Sequence, residues 1–378
     1  MDFTYSEEQK ILKESARDFL QDNCPSAFVL EMEKDEQGYT PELWRGMAEL
    51  GWMGLIIPEE YEGVGGDFLD LVMMLEEMGR ACLPGPFFST VMLGGVSILE
   101  AGDEARKKEF LPKIAAGELK FTLALTEPEM TRYDPYFINV AAKAQSGDFV
   151  IDGTKLFVPD AHVADYIICA ARTSGAKRSK EGITLFIVDA KTPGIRCSLL
   201  ETLSGDKQCE VVFDKVKVPG KNVLGKVGDG GSCLEKILQK AVIGKCAEMI
   251  GGSQRVLDMA SAYAKEREQF GRAIGSFQAV QHRCANMLIE LEGSRYITYK
   301  VAWMLSQNIP CKKQVAVAKA WTGEAYRKIT SLGHQVQGAT AYMVEHDMPI
   351  FSRRARTMEV AFGDAVYHRS LIAEELGL

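Results

Sequence analysis

The sequence predicts an α+β chain in three stretches: helices, a compact antiparallel β-barrel or sandwich, and a C-terminal four-helix bundle. Three observations carry this. Apolar residues recur at helical spacing through the first third; near Phe121 the pattern becomes short β-rich runs between turns; past Gly231 the helical period returns in long segments. The expected divisions are an N-terminal helical domain over 1–118, a middle β domain over 119–226 and a bundle over 227–378.

Each element has a local reason. Ser6 with Gln9 forms a capping-box pattern, followed by Leu12, Ala16, Phe19 and Leu20 on one helix face. Thr40 before Pro41 starts a helix that carries Leu43, Trp44 and Met47 and stops at Gly51. Gly63–Gly66 form a glycine-rich loop before an apolar helix around Leu69 to Met78, which Leu83-Pro84-Gly85-Pro86 ends. Two further helices are expected from about Phe87 to Glu100 and from about Glu104 to Ala116. The runs FTLALTE, FVIDGTKLFV, DYIICAAR, GITLFIVDA and CEVVFDKVKVP read as strands, with Asp152-Gly153 as a hairpin signal and Pro193-Gly194 as a second turn. The bundle helices are expected near Leu234–Lys265, Gln278–Gln307, Lys313–Leu332 and Ala361–Leu376. There are no internal repeats or low-complexity segments.

Composition narrows the function classes. The 378 residues are 46% hydrophobic and 25% charged, values of an ordinary globular protein. A formal net charge of −8 without basic blocks argues against nucleic acid as a partner, so an anionic ligand must be held by local arginines. The acidic start MDFTYSEEQK is unlike a signal peptide, and no stretch is apolar enough to span a bilayer. Nine scattered cysteines, with no CxxC pair and no Cys/His cluster at zinc spacing, predict no metal site and reduced thiols in a cytoplasmic protein.

The most informative stretch is REQFGRAIGSFQAVQ, Arg267 to Gln281. Arg267 supplies a fixed cation whose planar fork suits phosphate oxygens, Phe270 can pack on a flat ring, Gly271 and Gly275 permit a tight turn, and Gln278 offers a carboxamide. Taken alone, Arg267 between Glu266 and Glu268 reads as a solvated helix end. As a whole, the string resembles the signature of the acyl-CoA dehydrogenase flavoproteins, and the helix–barrel–helix order extends that resemblance along the full chain.

What the resemblance implies is specific. In that family the Arg-x-x-Phe-Gly and Phe-Gln elements grip the FAD of a neighbouring subunit, which gives Arg267, Phe270 and Gln278 that role here. LALTEP resembles the flavin-edge strand, with Leu125 and Thr126 as ring contacts and Phe157 covering a ring face. Within HQVQGATAY, Gln335 and Gly338 match a second cofactor element, while Ala339 and Ala341 replace two of its glycines. Met130 to Tyr133 replace the family's Ala-Gly-Ser-Asp turn, and Pro159 stands where a hydroxyl side chain is usual. Thr126 alone reads equally as a threonine paired within a sheet, and Phe68, Phe87 and Phe88 read as core rather than as an acyl pocket.

The family's reaction removes an α-proton from an acyl thioester while the β-hydride passes to the flavin, which needs a carboxylate in a water-poor pocket. Phe362 stands at the usual glutamate position and Ala241 at the alternative one; Asp364 is the in-chain substitute, and it reads equally as a helix cap. Phe362 to Ala365 with His368, together with ARTSG and LPGPFFSTV, resemble the pimeloyl-CoA dehydrogenase small-subunit branch. The expected protein is an FAD-dependent oxidoreductase acting on the α,β carbons of a dicarboxylyl, cyclic or otherwise unusual acyl-CoA. It is expected to work in fatty acid or dicarboxylate degradation, with electron-transfer flavoprotein or a similar acceptor. The assembly is a homo- or hetero-tetramer, in the second case with a larger subunit that supplies the glutamate. Two alternatives stand beside it: a catalytically silent structural subunit, and a flavin-dependent enoyl-CoA reductase or elimination enzyme.

Overall fold

The structure is a computed structural model that describes residues 6–378. The first five residues, which open the N-terminal stretch read above, lie outside it. The first third holds helices α1 (Glu7–Asn23), α2 (Ser26–Lys34), α3 (Pro41–Glu49), α4 (Phe68–Ala81), α5 (Val96–Ala101) and α6 (Glu104–Ala115). The middle holds strands β1 (Phe121–Ala124), β2 (Ala141–Gln145), β3 (Asp148–Pro159), β4 (Tyr166–Arg172), β5 (Ile183–Asp189), β6 (Ile195–Leu200), β7 (Gln208–Val218) and β8 (Val223–Leu224). Then come α7 (Gly230–Glu266), a hairpin of β9 (Glu268–Gln269) and β10 (Arg272–Ala273), α8 (Gln278–Ser306), α9 (Lys312–Gln337), α10 (Met348–Val360) and α11 (Ala365–Glu375). The expected sequence of helical, sheet and helical parts is the one observed.

Contacts divide the chain into two compact units, one of residues through Glu31 with Phe68–Leu83 and Val242–Leu378, the other of Met32–Asp67 and Pro84–Ala241. In the first unit, Ser6 caps α1 through a capping box. Helix α4 buries ten of its fourteen residues, including Glu76 and Glu77. Those carboxylates are tolerated because each is paired: Arg17 donates to both oxygens of Glu77 at 2.9 and 2.8 Å, and Lys13 and Tyr299 donate to Glu76 at 3.0 and 2.5 Å. Helices α4 and α7 meet backbone to backbone at Gly79 and Gly251. A Cβ on Gly251 would lie 1.8 Å from the Glu76 carbonyl oxygen, so only glycine fits.

In the second unit an eight-stranded sheet runs β6-β7-β3-β2-β4-β5-β8, with β1 also on β4. Its interior is filled by Ala124, Ile151, Ile167, Phe186, Val188, Val211, Phe213 and their neighbours. Each Ile, Val or Phe side chain among them contributes about 1.5–3 kcal/mol on burial. Three expectations change here. The sheet is not wholly antiparallel, since β1 and β2 both pair with β4 in parallel; the chain between them is long enough for a crossover. Asp152-Gly153 is no hairpin turn but a register shift inside β3, where Gly153 at φ +142° lies against Val140. The hairpin falls instead at Ser146-Gly147, with φ +52° and +90°. The helix expected from Phe87 is π-helical over Phe88–Gly95 before α5, where Gly94 approaches Phe121 too closely for a Cβ.

The C-terminal part carries α10 in addition to the four helices expected. Its stretch MPIFSRRARTMEV buries Arg354 beside Ile350, Phe351 and Ala355, so a cation interrupts the apolar stripe by which helices are recognised.

Candidate functional site

The first group of residues gathers at one corner of the sheet. Leu125 and Thr126 follow directly on β1, and the Thr126 carbonyl accepts from Leu156 N at 2.9 Å, which ties this segment to β3. Between Lys155 and Val158 the β3–β7 register shifts, and Phe157 takes φ +52°. A bulge of this kind re-aims a side chain. Phe157 is 56% exposed, although Val158 next to it and Lys155 two residues before it are buried.

Beneath this corner lies a feature that sequence reading missed. Lys155 and Glu127 form a fully buried ion pair at 2.7 Å. Lys155 Nζ also donates to the Leu125 carbonyl at 3.1 Å, and Glu127 accepts from the amides of Asn139 and Val140 at 2.8 and 3.0 Å. The pair therefore pins the Leu125–Thr126 segment from below. Its signal was available: Lys155 directly precedes the apolar Leu156-Phe157-Val158, and Glu127 closes the run from Phe121 to Thr126.

The second group lies on the other unit. Phe270 and Gly271, at φ +57° and +80°, form the tip of the β9–β10 hairpin. Phe270 is 91% exposed, with Phe277 edge-on to it at a centroid distance of 6.0 Å. Arg267 begins the same hairpin, its carbonyl accepting from Ile274 N at 2.8 Å. Among the described residues no ion pair or side-chain hydrogen bond engages its guanidinium. Gln278, exposed, is the first residue of α8. Gln335 is exposed on the last turn of α9, and Gly338 follows at φ +68°, ψ −147°, with no atom within 4 Å of where a Cβ would stand.

The third feature is the loop of Ala361 to Asp364. Phe362 and Gly363 both take positive φ, +56° and +95°. Three hydrogen bonds from two donors clamp the loop from inside: Lys319 Nζ reaches the carbonyls of Glu359 and Gly363 at 2.7 and 3.0 Å, and His368 Nε2 donates to the Phe362 carbonyl at 3.0 Å. A carbonyl only accepts, so His368 carries its proton on Nε2, and its buried Nδ1 has no partner. Burial lowers Lys319 to about 8, and burial followed by the Lys319 charge lowers His368 to about 4. Asp364 is exposed and caps α11, with Oδ1 accepting from Tyr367 N at 2.8 Å. Ala241, the other position compared for a base, is fully buried in α7. Phe68 and Phe87 are core residues, and Phe88 is partly buried. Among the described residues no three His, Cys, Asp or Glu side chains form a group that could hold a metal, and no helix is long and apolar enough to cross a membrane.

An exposed phenyl ring on the same hairpin as an unengaged guanidinium, and an exposed phenyl ring at positive φ next to the segment held by Lys155 and Glu127, are surfaces suited to a flat, phosphorylated ligand. Comparison with known proteins gives the class. Acyl-CoA dehydrogenase N-terminal, middle and C-terminal domains match residues 6–118, 122–216 and 228–377. The chain is 32% identical to the probable acyl-CoA dehydrogenase YngJ of Bacillus subtilis, over the whole of both chains. It is 29% identical to the caffeyl-CoA reductase-Etf complex subunit CarC of Acetobacterium woodii, over 98% of each. The solved butyryl-CoA dehydrogenase of Megasphaera elsdenii superposes with a TM-score of 0.93 at 28% identity, over all of both chains. The chain belongs to the acyl-CoA dehydrogenase family of FAD-dependent oxidoreductases.

The residues present fit the cofactor of that family. Arg267, Gln278 and Gln335 leave polar groups exposed for a diphosphate, and the space over Gly338 stays open despite Ala339 and Ala341 nearby.

Proposed function

We propose that this chain binds FAD through two groups of residues and acts on the α,β carbons of an acyl-CoA thioester within an oligomer. Leu125, Thr126 and Phe157 take the flavin ring, and Arg267, Phe270, Gln278, Gln335 and Gly338 take the diphosphate and adenosine part of a neighbouring protomer's cofactor. Bound FAD supplies the two-electron acceptor. The chain's part is to fix the ring on a strand braced by Lys155 and Glu127, to neutralise the diphosphate with Arg267, and to keep water from the thioester. The acyl group is dicarboxylyl, cyclic or otherwise unusual, electrons leave to an electron-transfer flavoprotein or similar acceptor, and the compartment is the cytoplasm. An Etf-linked relative supports the acceptor, and nine free thiols support the compartment.

The single observation that carries this reading is Arg267, a cation without an intramolecular partner among the described residues, on the same hairpin as a 91% exposed phenylalanine. A solvated helix end would give the arginine no reason to stand with an uncovered ring. The test is FAD titration of purified protein by fluorescence quenching. Arg267→Met is expected to weaken binding by roughly 10- to 100-fold, the loss of about 1.5–3 kcal/mol for a charged hydrogen bond. Unchanged affinity would remove Arg267 from the site.

Phe362 at the usual glutamate position supports a subunit that lacks the usual base, with a larger partner supplying a glutamate in its own site. The capping contact of Asp364 supports the same division of labour, because the carboxylate already has a structural role. A second reading is an enoyl-CoA reductase, favoured by the reductase relative. Adding saturated and unsaturated acyl-CoA separately to oxidised and reduced protein distinguishes the two directions. A colourless chain that never takes up flavin, yet raises a partner's activity, is the outcome that fits a silent structural subunit.

A further inference from the structure

The outer edge of the sheet carries a group of side chains with no part in the reading above. Cys197 lies on β6, the edge strand, and Cys209 lies on β7 beside it. The register pairs Cys197 with Val211 and Leu199 with Cys209, so the two cysteines are diagonal neighbours on one face. Cys209 is fully buried and Cys197 is exposed, and Cys197 is the only exposed cysteine of the nine. Behind Cys209 stands His162, with Nδ1 3.8 Å from the thiol sulfur and Nε2 3.1 Å from the Gln37 carbonyl. That carbonyl can only accept, so Nε2 bears the ring proton and Nδ1 presents a lone pair to Cys209.

We propose that Cys197 and Cys209 are a redox-active dithiol: Cys197 meets a low-molecular-weight disulfide from solvent, and Cys209, with His162 as base, resolves the adduct. In the first step the Cys197 thiolate attacks one sulfur of the small disulfide. The Cys197–S bond forms, the small S–S bond breaks, and one thiolate leaves to pick up a proton. In the second, Cys209 gives its proton to His162 Nδ1 and attacks the Cys197 sulfur. The second small thiolate is expelled and takes the proton from His162. Two protein thiols are thus oxidised to one disulfide, and one small disulfide is reduced to two thiols.

Three features suit the sequence of events. A hydrogen bond from Cys209 lowers Cys197 below the usual thiol range. Cys209 is held above it, by the hydrogen bond to Cys197 and then by burial, so it waits for His162 instead of reacting first. Diagonal neighbours lie about 7–8 Å apart, just beyond ordinary disulfide reach, so closure requires β6, which is bonded on one side only, to move inward. A bond closed at that limit is the labile, reversible kind. The remaining cysteines are buried or half-buried, and burial raises Cys24, Cys169 and Cys246 to about 12.

The experiment treats the reduced full-length protein with oxidised glutathione, quenches in acid, alkylates and reads intact and peptide masses. The wild type is expected to lose two alkylatable thiols and to yield one linked peptide pair containing Cys197 and Cys209. Cys209→Ser is expected to hold glutathione on Cys197, and Cys197→Ser to leave Cys209 unmodified. His162→Gln is expected to slow closure, but not the first adduct, by about tenfold or more. Circular dichroism checks that the Cys209 variant folds, and the wild-type result stands without it. Glutathione persisting on Cys197 in the wild type, another thiol reacting first, or both thiols protected by co-purified zinc would each overturn the proposal.

Discussion

Asp364 holds the first turn of α11 through its Tyr367 contact, and the two roles open to it separate by substitution. Asparagine is as good an N-cap as aspartate, whereas alanine loses about 1 kcal/mol. Asp364→Asn is expected to keep both stability and turnover in flavin-loaded enzyme, and Asp364→Ala to lower the unfolding midpoint with turnover kept. A collapse of turnover in the asparagine variant would make Asp364 the base. His368 sets a pH dependence. Its folded value, about 4, lies below the ordinary 6.5, so between these the unfolded chain binds the extra proton and stability falls as pH drops from 6.5 towards 4. The loss amounts to about 3 kcal/mol. His368→Gln is expected to flatten this part of the curve in urea titrations at pH 7 and pH 5. Equal slopes in both proteins would contradict the burial account. Residues of this kind were only partly legible in sequence. Phe362 and Asp364 could be placed by resemblance, but Lys319 and His368 act through backbone carbonyls, which leave no trace in a sequence pattern.

At the scale of elements, the corner that carries Leu125, Thr126 and Phe157 depends on β1 and β3 being locked together by a pair with no access to water. Lys155→Met leaves Glu127 buried with its partner gone, at a cost of about 3–5 kcal/mol. The double variant Lys155→Met, Glu127→Gln is expected to recover much of this in thermal unfolding, because no lone charge remains. A recovery absent in the double variant would assign the loss to packing. The strands of this region were legible because alternation and β-branched runs are local. The pairing partners were not, since parallel pairing on β4 is decided by the long connection and not by residues within the strands. Asp152-Gly153 misled for a related reason. A glycine at positive φ serves a turn and a bulge equally well, and only the neighbouring strand decides. Helix α10 escaped because Arg354 stands on its buried face.

For the whole molecule, the order of helical and sheet parts follows from the change of hydrophobic period, and it was readable without any site. Assembly is a further matter. Leu288, Ile289 and Tyr296 on α8 and Trp321 on α9 are exposed, an apolar group that suits contact between protomers. If Arg267 serves a neighbour's cofactor as proposed, Ile289→Glu is expected to reduce the oligomer in light scattering and to reduce flavin content with it. Loss of assembly with flavin retained would place both halves of the site in one chain. The account as a whole turns on that cofactor, and the most direct measurement is the visible spectrum of the purified chain, alone and co-expressed with a larger family partner, after FAD is added and excess removed. The account predicts a yellow protein whose retained flavin is lost on Arg267→Met and whose colour bleaches with a suitable acyl-CoA. A chain that stays colourless in every assembly, folded and with Arg267 intact, would contradict it.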